Sequence, residues 1–126
     1  MDTSKEYILM CEKAKEIQEL PMKKNGNFYV DFMGDICVYI EKDNDWNWQK
    51  NKEIWLPRQD QLQDILKDTR WTIYGYLEQI TKFMSDYGSI DWSWEQIWLG
   101  FLMKEKYNKI WNGTDWVKEK VCLSVQ

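Results

Sequence analysis

Nine tryptophans, seven tyrosines and four phenylalanines have to be placed by a chain of only 126 residues. Each such ring carries a large apolar area, so the chain must either build a core around them or offer them to a partner. The length sets a single globular domain, residues 1–126, which buries roughly two thirds of the surface of its unfolded chain without staples. Charged residues make up 30% of the sequence and cover that core.

The polar residues exclude several functions. A net charge of −4 supplies no basic field to displace counterions, so nucleic acid is disfavoured as a partner. The chain has no histidine, which removes Ser-His and Cys-His nucleophile pairs and leaves only carboxylates, lysines or a lone thiol for catalysis. Cys11, Cys37 and Cys122 are odd in number and far apart, as free thiols in a reducing compartment would be. There is no basic leader followed by an apolar run, and nowhere do eighteen apolar residues occur together, so the expected location is the cytoplasm, with no membrane.

Periodicity sets out the elements. Thr3-Ser4-Lys5-Glu6 is a capping-box pattern, and Tyr7, Met10, Cys11, Ala14 and Ile17 form one apolar face of a helix that Pro21 closes. Residues 27–32 and 35–41, separated by Met33-Gly34, alternate as a β-hairpin. Phe28, Val30 and Phe32 share a face in the first strand and Ile36, Val38 and Ile40 in the second, with Tyr29, Cys37 and Tyr39 opposite. Two strands are marginal alone, so helices must cover a face, or Trp55 or the C-terminus must add a third strand.

Three helices follow. The first begins at Pro57, with Leu62, Ile65 and Leu66 on its apolar side, and ends near Asp68. The second runs from about Thr69 to Tyr87, with Ile73, Leu77, Ile80, Met84 and Tyr87 as its stripe, and stops at Gly88. The third starts at the capping box Ser93-Trp94-Glu95-Gln96 and presents Trp94, Ile97, Trp98, Phe101 and Leu102. Asn112-Gly113 makes its exit turn, and Thr114 to Val117 reads as a short strand or coil. The expected class is α+β: an N-terminal helix, an antiparallel hairpin with or without a third strand, and three C-terminal helices.

Residues 41–53 are the most polar stretch and carry Trp46 and Trp48 without any period that would bury them. Two indoles in such a loop either fold back or wait for a partner. The binding reading makes Trp46 and Trp48 the anchors and Asp43 and Asp45 the charges that steer a basic partner. The same acidic run resembles the start of a calcium loop, but Trp48 stands where glycine is needed and Ile54 where a bidentate glutamate is needed, so no metal is assigned. Asp31, Asp35 and Glu41 flank the hairpin as solvated strand ends or as facing carboxylates. Glu105 continues the stripe of Trp94, Trp98 and Phe101, and so reads as semi-buried, either paired to a lysine, an arginine or an indole or serving as a functional carboxylate with a raised pKa.

Trp55-Leu56-Pro57-Arg58-Gln59-Asp60-Gln61-Leu62-Gln63, Glu95-Gln96-Ile97-Trp98-Leu99, residues 105–113 and Met10-Cys11-Glu12-Lys13-Ala14-Lys15 resemble a group of small proteins of unassigned activity encoded by phages and prophages of Gram-positive bacteria. The likeness implies context and no catalytic residue. It suggests a non-enzymatic binding or inhibitory accessory protein in the host-cell cytoplasm, acting through an acidic and aromatic surface on a host or phage protein, without a cofactor. Two alternatives stay open: a carboxylate-dependent hydrolase, and a structural or self-assembling accessory protein, for which the partner is a homo-oligomer.

Overall fold

The computed structural model describes residues 1–20, 25–40, 53–67 and 73–118. Helices α1 (Lys5–Lys13) and α2 (Lys15–Gln18) lead into strands β1 (Phe28–Val30), β2 (Ile36–Val38) and β3 (Ile54–Leu56). Helices α3 (Gln59–Leu66), α4 (Ile73–Tyr87) and α5 (Trp94–Tyr107) follow, and then a hairpin of β4 (Lys109–Trp111) and β5 (Trp116–Lys118). The class is mixed helix and sheet: among the described residues there are five helices, an antiparallel sheet ordered β2-β1-β3 and a separate two-stranded hairpin.

The N-terminal helix starts one residue later than Thr3 suggests. Asp2 Oδ1 accepts the Ser4 N–H at 2.8 Å, holding Ser4 extended, and Ser4 Oγ then accepts the Tyr7 N–H at 3.2 Å. Glu6 turns away from the cap to accept from Gln96 Nε2 on α5 at 3.0 Å. The single helix read from the periodicity is two, broken at the buried Ala14 (φ −84°, ψ 75°). Its expected apolar face survives the break, since Tyr7, Met10, Cys11, Ala14 and Ile17 are all fully buried. Pro21 and Trp71 lie outside the described residues.

Trp55 does bring the third strand. Phe28 pairs with Val38 on one side and Leu56 on the other, and Tyr29 pairs with Cys37 and Trp55, which fixes the two faces as the alternation requires. The two outer edges of this sheet differ. At β3, Gln18 stands in for a missing strand: its Oε1 accepts the Trp55 N–H at 2.8 Å and its Nε2 donates to the Trp55 carbonyl at 2.9 Å. The break at Ala14 is what turns α2 toward that edge. At β2 no helix among the described residues covers the face, and Ile36, Val38 and Ile40 remain half exposed although Val30 beside them is buried.

Helix α5 is the centre of the core. Its capping box forms as read, with Ser93 Oγ accepting the Gln96 N–H and Gln96 Oε1 accepting the Ser93 N–H. Ile97 to Met103 are buried without interruption, so α5 is packed all round, against α1, α3, α4 and β4. Trp98 and Phe101 meet edge to face, with ring centroids 6.0 Å apart. Trp94 departs from the reading: it begins the helix on its outer side and is 59% exposed. Asn108, left-handed at φ 59°, ends α5 and turns the chain into β4. Trp116 closes this corner by donating from Nε1 to the Met10 carbonyl at 2.9 Å, its ring 5.1 Å from that of Trp111.

Gly100 lets α4 approach α5. A Cβ there would lie 2.8 Å from Phe83 Cζ and 3.1 Å from Trp92 Cζ3. Gly100→Ala is expected to lose about 1–2 kcal/mol in urea unfolding, because overpacking against two rings outweighs the gain in helix propensity. A stabilised variant would show that the rings yield.

Two carboxylates, Asp2 hydrogen-bonded to Ser93 and Glu16 paired with Lys109, tie the N-terminal segment to the rest. Burial works against the Asp2 carboxylate, but hydrogen bonds from Ser93 and Ser4 prevail and hold it below the usual carboxylate range. The Glu16 carboxylate is likewise lowered, with burial opposed and outweighed by the hydrogen bond and charge of Lys109. A lowered folded value means stability that is complete above the unfolded carboxylate range and is lost as pH falls through the folded one. Unfolding followed from pH 6 down to pH 2 is therefore expected to show a progressive loss below about pH 4, under about 1 kcal/mol from each group after screening. Asp2→Asn should flatten the curve, and an unchanged slope would remove Asp2 from the account.

Candidate functional site

The residues first suspected do not assemble a site among the described residues. Trp46, Trp48, Asp43, Asp45 and Glu41 lie outside them. Asp31 is a turn residue: its Oδ1 accepts the N–H groups of Met33 and Asp35, each at 2.9 Å, and the Cys37 thiol lies 3.5 Å from Oδ2. Those hydrogen bonds, led by that of Asp35, lower its carboxyl. Asp35 is exposed. Neither described thiol is activated. Burial raises Cys11 far above the ordinary thiol value, and burial with the Asp31 carboxylate raises Cys37. Glu105 is exposed on the rim of a cleft, without an ion pair among the described residues, so its place at the end of the α5 stripe does not bury it.

The surface that does take shape follows α4. Its buried side is Tyr76, Ile80, Phe83 and Tyr87, spaced 4, 3 and 4, which packs toward α5. This corrects the expected stripe, of which Leu77 and Met84 face water. Tyr74, Leu77, Thr81 and Met84, spaced 3, 4 and 3, make a second row about 100° round the helix. Tyr74 is 80% exposed and Leu77 57%. A fifteen-residue helix with apolar rows on two sides has one more than its own core uses.

Beside that row a cleft of about 330 Å³ opens, walled by Gln63 of α3, Tyr76 and Leu77 of α4 and Trp98 of α5. Its walls are tied together where the Tyr76 hydroxyl donates to the Leu66 carbonyl at the end of α3. The size and mainly apolar lining suit one large apolar side chain, with Gln63 as a polar edge. On the other flank of α4 a second cleft of about 260 Å³ has Phe83 and Tyr87 in its floor and Lys82, Asp86, Lys104 and Glu105 round it. Lys104 Nζ stands 5.5 Å from the Tyr87 ring centroid.

Asp86 and Glu105 are two carboxylates at one cleft, the arrangement a hydrolase would need. Both are exposed, however, and share the rim with two lysines. The apolar enclosure that makes one carboxylate an acid and the other a base is missing there. Among the described residues no three histidine, cysteine, aspartate or glutamate side chains gather as a metal site, and no described helix is long and apolar enough to cross a membrane.

The exposed row on α4 was missed because a period of 3.6 fits residues 73, 77, 80, 84 and 87 almost as well as 76, 80, 83 and 87. Tyr74 and Tyr76, two positions apart and so on different sides of a helix, were the available signal that both sides are apolar. No known family profile matches the chain, and no curated protein or solved structure shows significant similarity to it.

Proposed function

We propose that this chain is a non-catalytic binding protein, an accessory or inhibitory protein of phage type, that holds a host or phage protein along α4. The observation that carries this reading is the exposed row of Tyr74, Leu77 and Met84 next to the cleft at Trp98. The occupant it suits is an amphipathic segment laid along α4, with one large apolar side chain in the cleft and charges of either sign meeting Lys82 and Asp86. The phage context rests on the resemblance of its sequence stretches, and the exposed carboxylates favour binding over the hydrolase alternative.

Leu77→Glu places a charge at the mouth of the cleft on a residue that faces water. The variant is expected to melt within a few degrees of the wild type while losing at least tenfold in affinity for the partner that the wild type captures. Capture that is equally strong with Leu77→Glu and Tyr74→Ala would overturn the reading.

A further inference from the structure

The β2 edge of the sheet, which no described element covers, has a different use. In the β1–β2 ladder the Tyr39 N–H donates to the Asn27 carbonyl, the Gly26 N–H to the Tyr39 carbonyl, and the Asp31 N–H to the Asp35 carbonyl. The odd-numbered residues of this strand therefore spend their backbone groups on β1. By alternation Ile36 and Val38 direct theirs outward, and Ile40 continues the pattern. The same three residues are half exposed on one face.

Sheet edges are usually blunted by lysine, proline, a bulge or a covering element. Residues 36–40, Ile-Cys-Val-Tyr-Ile, contain no charge and no proline. The contrast lies within this molecule, where Gln18 closes the β3 edge and nothing described closes the β2 edge. From this pair of edges we infer that β2 pairs antiparallel with β2 of a second copy across a two-fold axis at Val38, joining two three-stranded sheets into one of six strands.

A second copy is the occupant that the edge itself specifies. With Val38 opposite the partner's Val38, Ile36 falls opposite the partner's Ile40, and outward backbone groups meet outward groups at all three positions. The β-branched side chains then line one face, while Cys37 and the partner's Tyr39 share the other. In sequence the uncharged run is bracketed by Asp35 and Glu41, so acidic residues meet at both ends of the joined strands and the pairing should tighten as salt screens them. Only the half-exposed Ile36, Val38 and Ile40 of each copy are covered, an interface below the standard size, which makes the dimer concentration-dependent. This inference is independent of the α4 surface.

The test is sedimentation of the full chain over a wide concentration range in the presence of a thiol reductant. The wild type should pass from monomer to dimer, and Val38→Lys, with two lysines about 5.5 Å apart at the axis, should weaken dimerisation at least tenfold. Val38→Glu should do the same. An equimolar mixture of the two should dimerise again to within about threefold of the wild type, because only a two-fold register places residue 38 against itself. Ile90→Lys, at a residue 99% exposed on the α4–α5 turn, should leave the dimer intact. Independently of any variant, the amides of Ile36, Val38 and Ile40 should become protected from exchange as wild-type concentration rises. A wild type that stays monomeric, a dimer indifferent to Val38→Lys, or a mixture that does not recover would each overturn the pairing.

Discussion

Replacing Trp98 with alanine is expected to cost about 3–5 kcal/mol, the range for emptying a large aromatic site. Trp98 is 9% exposed, packs edge to face on Phe101 and also walls the cleft beside α4. Its Nε1 is buried without a hydrogen-bond partner among the described residues. The indole therefore contributes area and shape but no hydrogen bond, and Trp98→Phe should recover most of the loss, remaining within about 1–2 kcal/mol of the wild type. Urea unfolding of the three proteins decides it. An alanine variant less than about 1 kcal/mol down would remove Trp98 from the core. A phenylalanine variant as damaged as the alanine one would show that the N–H has a partner after all.

That residue also marks how much could be read from sequence. Trp98 and Phe101 were legible as core because a capping box fixed where their helix begins, and a fixed start converts spacing into facing. Trp94 shares their stripe but opens the helix, and at a helix end the stripe can overhang its neighbours; nothing local signals how far the adjoining helix reaches. The hairpin and its faces were legible because a period of two changes face at every residue and tolerates no drift. The second hairpin was only half visible: Asn112-Gly113 announced the turn, but Lys109 to Trp111 read as the tail of a helix until Asn108 took the left-handed conformation.

The misses on α4 and at Ala14 have a common cause. Both depend on contacts with residues distant in the chain. Which apolar row of α4 is buried is decided by Gly100, whose missing side chain admits Phe83 and Trp92. The break between α1 and α2 brings Gln18 to Trp55, 37 positions away. Helix propensity and periodicity carry neither relation. For the candidate surface the consequence is direct: an extra apolar row is visible in the composition of α4, but which row is extra is a tertiary fact.

Gln18→Ala is the second large effect expected, about 2–4 kcal/mol, although Gln18 is a polar residue at the end of a one-turn helix. Its amide satisfies both backbone groups of Trp55, a buried residue, and also donates to the Cys11 carbonyl at 3.0 Å beside the helix break. Alanine would leave these groups unpaired in a place where each costs about 1–3 kcal/mol. Gln18→Glu separates the hydrogen bonds from the packing. A carboxylate can still accept from the Trp55 N–H, but its second oxygen then faces the carbonyls of Trp55 and Cys11, so at neutral pH the variant should be as damaged as alanine. Protonation restores a donor, and the carboxyl is raised by those carbonyls. Its contribution is accordingly absent at high pH and returns as pH falls through that raised value, so its gap to the wild type should narrow between pH 7 and pH 5 while the alanine gap stays constant. Parallel gaps for the two variants would mean that Gln18 acts through packing alone. Loss of the amide has a further consequence, because the β3 edge would then be open as well as the β2 edge that no described element covers. If β2 pairs with a second copy as inferred above, Gln18→Ala should associate beyond that dimer at concentrations where the wild type does not, and a variant that is destabilised yet associates no further than the wild type would show that α2 covers β3 without help from its glutamine.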